Sequence, residues 1–165
     1  MRAAWLFSAV ATLAIAASSA CAQTAPAANG FHFAQHDVVS FGANEGGFTN
    51  ASIGARIDYA VMPALRVGLE IAYANLEAAP ERAHSVLALA QFEARATLSE
   101  RWSVPARVAL GHLASNGPVL RLASGIACKL ASRLEVVLEV APTFFTTRDG
   151  VYPAVGPGLE LSFRL

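Results

Sequence analysis

A chain of 165 residues with 12 Lys and Arg against 12 Asp and Glu carries no net charge. At 55% hydrophobic and 15% charged residues it is more apolar than a small soluble domain, for which about 25% charged is usual. Neutrality gives no electrostatic basis for a nucleic-acid partner, and the apolar surplus has to be buried somewhere.

Part of it lies at the start. Met1-Arg2 leads into an apolar run from Ala3 to Ala17, then Ser18-Ser19-Ala20-Cys21-Ala22. This pattern predicts a secretory signal over residues 1–22, cut after the Ala-x-Ala of Ala20 to Ala22. Acylation of Cys21 is the alternative, but Ser18 stands where a lipoprotein signal normally carries an aliphatic residue. With Cys21 removed, Cys128 is the remaining cysteine, so neither an internal disulfide nor a cysteine metal cluster is expected. Residues 23–30 form a short extension, and residues 31–165 form the domain proper. Beyond the signal there is no uncharged apolar run of about 18 residues, the length a membrane helix needs.

What recurs instead is alternation, the period-2 signature of a strand with two unlike faces. Phe31, Phe33, Val39 and Phe41 share a phase that Gln35 and Asp37 interrupt. Ile53 to Val61 sets Ile, Ala and Tyr against Arg56 and Asp58, and Val67 to Tyr73 sets aliphatics against Arg66, Gly68 and Glu70. In Ser85 to Leu98, Gln91, Glu93 and Arg95 share a face, but Leu87 and Leu89 fall on it too, so a helix stays open there. Val104 to Leu110 opposes Arg107; Leu120 to Cys128 opposes Arg121 and Lys129; Leu134 to Val140 opposes Glu135 and Glu139. The last segment, GLELSFRL, sets Leu159, Leu161, Phe163 and Leu165 against Glu160, Ser162 and Arg164.

Tight links at Val61–Leu65, Leu98–Trp102 and Lys129–Arg133 interleave with looser stretches at Ala43–Asn50, Asn75–Ala83, Leu113–Pro118 and Thr146–Pro153. Three and four connections join eight strands. Short turns at one end and longer loops at the other are the plan of an outer-membrane barrel, and eight strands make an interior that side chains can fill.

Alternation alone does not say which face is inside, because a soluble lipocalin-like carrier would put apolar residues inward. The apolar face is free of Lys, Arg and Glu in the six clearer segments. A lipid-facing surface demands this, since Arg or Lys at mid-bilayer costs roughly 2–4 kcal/mol. Tyr59, Trp102 and Phe163 near the tight turns, with Tyr73, Phe144, Phe145 and Tyr152 near the loops, fit two interfacial girdles.

The signal, the strand and turn around Tyr59 to Val67, and the terminal strand together resemble the small eight-stranded outer-membrane barrels of the OmpA and OmpX type. The resemblance covers Phe31 to Leu165. It implies an all-β, antiparallel, up-and-down transmembrane β-barrel in the cell outer membrane, with outer-membrane lipid and lipopolysaccharide around it. It also implies that the barrel assembly machinery reads the last strand, here Leu161, Phe163 and Leu165, although the chain ends on Leu165 where the family usually ends on an aromatic residue.

Inward charges would be Arg56, Arg66, Arg95, Arg107, Arg121, Lys129 and Arg164 against Asp58, Glu70, Glu93, Glu135, Glu139 and Glu160. Near-balance in a narrow interior predicts an ion-pair network that closes the lumen, with a small porin-like pore as the alternative. Some barrels of this kind are lipid A-modifying hydrolases that use a His-x-Ser pair, whose two-residue spacing keeps both groups on one face. No such pair occurs, and His84-Ser85, His36 with Ser40, and His112 with Ser115 do not replace it. The expectation is a non-enzymatic, monomeric barrel with a structural or surface-interaction role and no cofactor or metal site.

Overall fold

The computed structural model describes residues 30–42, 48–78, 81–114, 117–147 and 150–165. The signal segment, Cys21 and most of the N-terminal extension lie outside them. Ten strands form: β1 (Phe31–Gly42), β2 (Phe48–Met62), β3 (Leu65–Ala78), β4 (Glu81–Thr97), β5 (Trp102–Leu113), β6 (Gly117–Lys129), β7 (Leu134–Val140), β8 (Thr143–Thr147), β9 (Gly150–Val155) and β10 (Pro157–Arg164). Among the described residues there is no helix.

Ten strands make eight staves. β7 and β8 are one stave interrupted at Ala141-Pro142, since β6 pairs first with β7 (Ser124 opposite Val140) and then with β8 (Arg121 opposite Thr143). Proline has no N–H to give the ladder, yet the Pro142 carbonyl still accepts from the Leu122 N–H at 2.8 Å. β9 and β10 form the other divided stave, both pairing with β1 across the Gly156 break. Every neighbour is antiparallel, and β1 closes the ring against β10 from His32 opposite Arg164 to Val38 opposite Gly158. Closure gives every stave a partner on both sides among the described residues, the condition for backbone to cross lipid without helices.

The ladder settles the two ambiguous segments. β4 pairs continuously on both sides, Leu65 to Ala78 on β3 and Ser103 to Leu113 on β5, so the Ala-rich stretch is strand and not helix. β1 holds register with β2 from Phe31 to Phe41, with Gln35 and Asp37 turned outward and joined by a 3.1 Å hydrogen bond. The looser stretches are shorter than their composition predicts. β3 and β4 stay paired up to Ala78 opposite Glu81, and β5 and β6 up to Leu113 opposite Gly117. Backbone hydrogen bonding carries the strands through Ala, Asn and Glu residues whose side chains give little alternation signal.

Apolar side chains cover the outside. Ile53, Leu69, Ile71, Leu110 and Leu138 are each at least 60% exposed, whereas Arg56, Glu93 and Glu160 are almost completely enclosed. This is the inverse of a soluble carrier and sets aside the lipocalin-like alternative, because water would meet the apolar face.

Candidate functional site

The lumen holds the chemistry. Arg107 on β5 sits near its centre, donating from Nε to Glu93 at 2.6 Å, from a second nitrogen to Glu139, and reaching Glu160 at 2.7 Å. Arg56 on β2 bonds Glu160 of β10 and Asp58 of its own strand, each at 2.6 Å. Asp58 also accepts from Gln91 Nε2 at 2.6 Å. On β4, Arg95 bonds Glu93 at 3.0 Å and Glu135 of β7 at 2.5 Å. Arg121 of β6 reaches across to Glu70 of β3 at 2.7 Å, and Arg66 lies 3.6 Å from Glu93.

His36 completes the network and was not legible in the sequence as part of it. Its Nδ1 stands 3.0 Å from Glu70 and its Nε2 2.8 Å from Glu139, with the side chain 2% exposed. An imidazolium donating from both nitrogens satisfies both carboxylates. Six cations, Arg56, Arg66, Arg95, Arg107, Arg121 and His36, then face six anions, Asp58, Glu70, Glu93, Glu135, Glu139 and Glu160. Every one of the eight staves supplies at least one member. The signal for His36 was its place on the inward phase of β1, two residues from Ala34 and Val38, which the polar Gln35 and Asp37 obscured.

Two sequence-predicted members lie elsewhere. Lys129 and Arg164 are exposed and line the mouth at the tight-turn end rather than the buried network. Both share the inward phase, but each stands at the end of its strand, where phase no longer means burial.

Space for the long side chains comes from small neighbours. A Cβ on Gly68 would sit 1.9 Å from the Asp58 carboxylate, and one on Gly158 2.9 Å from Cγ of Glu139. These glycines are the holes that the charged groups fill.

Towards the loop end the interior changes character. Ala72, Ala74, Leu87, Leu89, Ala109, Leu113, Val119, Phe145 and Ala154 form one buried apolar cluster. On four staves the order is the same going up, Glu70 then Ala72, Gln91 then Leu89, Arg107 then Ala109, Arg121 then Val119, whereas β1 and β2 bury polar Ser40, Ser52 and Asn50 towards the loop end. Leu87 and Leu89 therefore fall on the charged face for a reason, since they belong to that face higher up. Phe145 is a correction of the same kind: 4% exposed, it fills the lumen and does not join the aromatic girdle.

His36, Glu139 and Glu160 bring donor atoms within 4.8 Å of one another, a spacing a metal ion could use. Arg107 already contacts both glutamates, so a cation there would have to displace it. Of the histidines weighed for hydrolysis, His84 faces outward with its Nδ1 2.6 Å from the Tyr73 hydroxyl, whereas Ser85 is buried on the opposite face. His112 is exposed on the outer wall, and Ser115 lies outside the described residues. On the terminal strand, Leu161, Phe163 and Leu165 share the outer phase, with Phe163 42% and Leu165 73% exposed.

A charged interior, an apolar exterior and a closed antiparallel ring define a transmembrane β-barrel. The chain is similar to a de novo designed transmembrane β-barrel, with a TM-score of 0.52 at 13% identity over 81% of this chain and 95% of that one. Neisserial surface protein A (NspA) matches with a TM-score of 0.48 at 11% identity over 82% and 96% of the two chains. The CymD monoaromatic hydrocarbon channel matches with 0.39 at 14% identity over 73% and 38%. No protein-family model and no curated sequence matches the chain. At these identities the likeness is one of fold.

Proposed function

We propose that this protein is a bacterial outer-membrane barrel of the OmpA and OmpX kind, with a structural or surface-interaction role, a closed lumen and no enzymatic activity. The observation that carries the reading is the filling of the interior by two layers, ion pairs in the turn half and, in the loop half, an apolar cluster beside the buried Ser40, Asn50, Ser52 and Ser85. A pore needs a hydrated path, and the loop-end packing of Leu87, Leu89, Leu113 and Phe145 favours a closed lumen over one. The short connections at the loop end favour the structural role over adhesion.

In this reading outer-membrane lipid and lipopolysaccharide surround the outer wall, the assembly machinery reads Leu161, Phe163 and Leu165 during insertion, and the barrel works as a monomer. Two measurements test it. Membrane fractionation should recover the protein with outer membranes, released only by detergent, and planar bilayers containing it should carry no steady current. Recovery as a soluble periplasmic protein, or reproducible wild-type channels, would overturn the corresponding part.

A further inference from the structure

The buried network is balanced, but the mouth below it is not. A cavity of about 440 Å³ opens at the tight-turn end, lined by residues from all eight staves. Its wall carries Arg66, Arg95, Lys129, Arg133 and Arg164 against a single carboxylate, Glu135. That carboxylate is already engaged by Arg95 at 2.5 Å. Lys129, Arg133 and Arg164 are exposed on the cavity rim, beyond the six-against-six balance of the interior.

Arg66 is the network arginine held least tightly by its carboxylates. Arg66 Nη1 is buried and makes no hydrogen bond; its nearest carboxylate oxygens stand at 3.6 Å on Glu93 and 3.9 Å on Glu135. Leaving a buried charged donor unmade is unfavourable, and this one lies in the cavity wall. Three guanidinium forks and an ammonium around one concave space suit a tetrahedral oxyanion, which arginine binds through paired N–H groups. The cavity is far larger than a bare phosphate, and Trp102, Ser99 and Ser132 line it as well, offering an apolar plate and hydroxyls to an organic body.

We propose that the turn-end mouth is a binding site for a phosphate ester, held by Arg66, Lys129, Arg133 and Arg164. The ester has two sources, the glycerophosphate headgroup of an anionic phospholipid in the adjoining leaflet or a soluble phosphate ester. The lipid source rests on the membrane reading above; the soluble one does not.

The test uses the refolded protein in a neutral maltoside detergent. One arm titrates sn-glycerol 3-phosphate by calorimetry; the other measures retention of phosphatidylglycerol against phosphatidylcholine by native mass spectrometry. The expected result is saturable one-to-one binding in at least one arm, which identifies the source. It should weaken tenfold or more in the Lys129→Ser, Arg133→Ser, Arg164→Ser triple variant. Arg101→Ser, in a neighbouring turn but not on the cavity wall, should bind as wild type. Heat-modifiable gel mobility checks that each variant is folded, and Arg133→Ser alone replaces the triple variant if that one is not. Absence of saturable binding in both arms, undiminished binding in the rim variant, or an equal loss in Arg101→Ser overturns the site.

Discussion

The two halves of the lumen solve the same packing problem with opposite chemistry. The turn half fills its space with long charged side chains whose ion pairs run from stave to stave. The loop half fills most of it with Leu87, Leu89, Leu113, Val119 and Phe145 among alanines, with Ser40, Asn50, Ser52 and Ser85 buried beside them. The charged half depends on partners, because a buried ion whose counter-ion is removed is left uncompensated. The apolar half depends on volume, because a deleted methyl leaves a cavity with nothing to fill it. A closed eight-stranded ring accepts both, since lipid touches only the outer wall.

The largest way to break this contrast is at its hub. Arg107→Met leaves Glu93, Glu139 and Glu160 short of a counter-ion and should lower unfolding stability by about 3–5 kcal/mol, measured by urea titration of protein refolded in lipid vesicles. Leu87→Ala attacks the other half and should cost about 2–5 kcal/mol in the same titration. Combining the two tests whether the halves are separate: largely additive losses support independent layers, whereas strong coupling would mean that charge and volume share one cooperative core.

A smaller perturbation sharpens the role of the outer wall. Leu69→Arg, beside the charged layer's Glu70, and Leu110→Arg, beside the apolar layer's Ala109, should each lose about 2–4 kcal/mol if they sit near mid-bilayer. Both should lower the yield of folded protein in vesicles, whichever layer lies behind them. Folding yields unchanged in both variants would contradict the outward assignment of these faces. The smallest expected effect is at the mouth: Lys129→Ala removes an exposed charge outside the buried network and should shift stability by no more than about 0.5 kcal/mol.

Much of this molecule is legible one segment at a time. The phase of Arg56 and Asp58, of Glu135 and Glu139, and of the terminal Leu159 to Leu165 sorts inward from outward residues because successive side chains of a strand point to opposite faces. The tight links at Val61–Leu65, Leu98–Trp102 and Lys129–Arg133 mark where staves reverse. Phase, though, is a property of two neighbouring residues and carries no information about height in the barrel. Whether an inward residue meets a counter-ion, an alanine or open water depends on the stagger between eight paired staves, which is fixed only when β1 closes on β10. That is why Leu87, Leu89 and Phe145 become a plug, why His36 joins two glutamates from β3 and β7, and why Lys129 and Arg164, inward by phase, end at the mouth. The sequence by itself determined the two faces and the number of crossings; the closed tertiary structure decided which inward groups touch, because contact across a lumen is set by register and not by alternation.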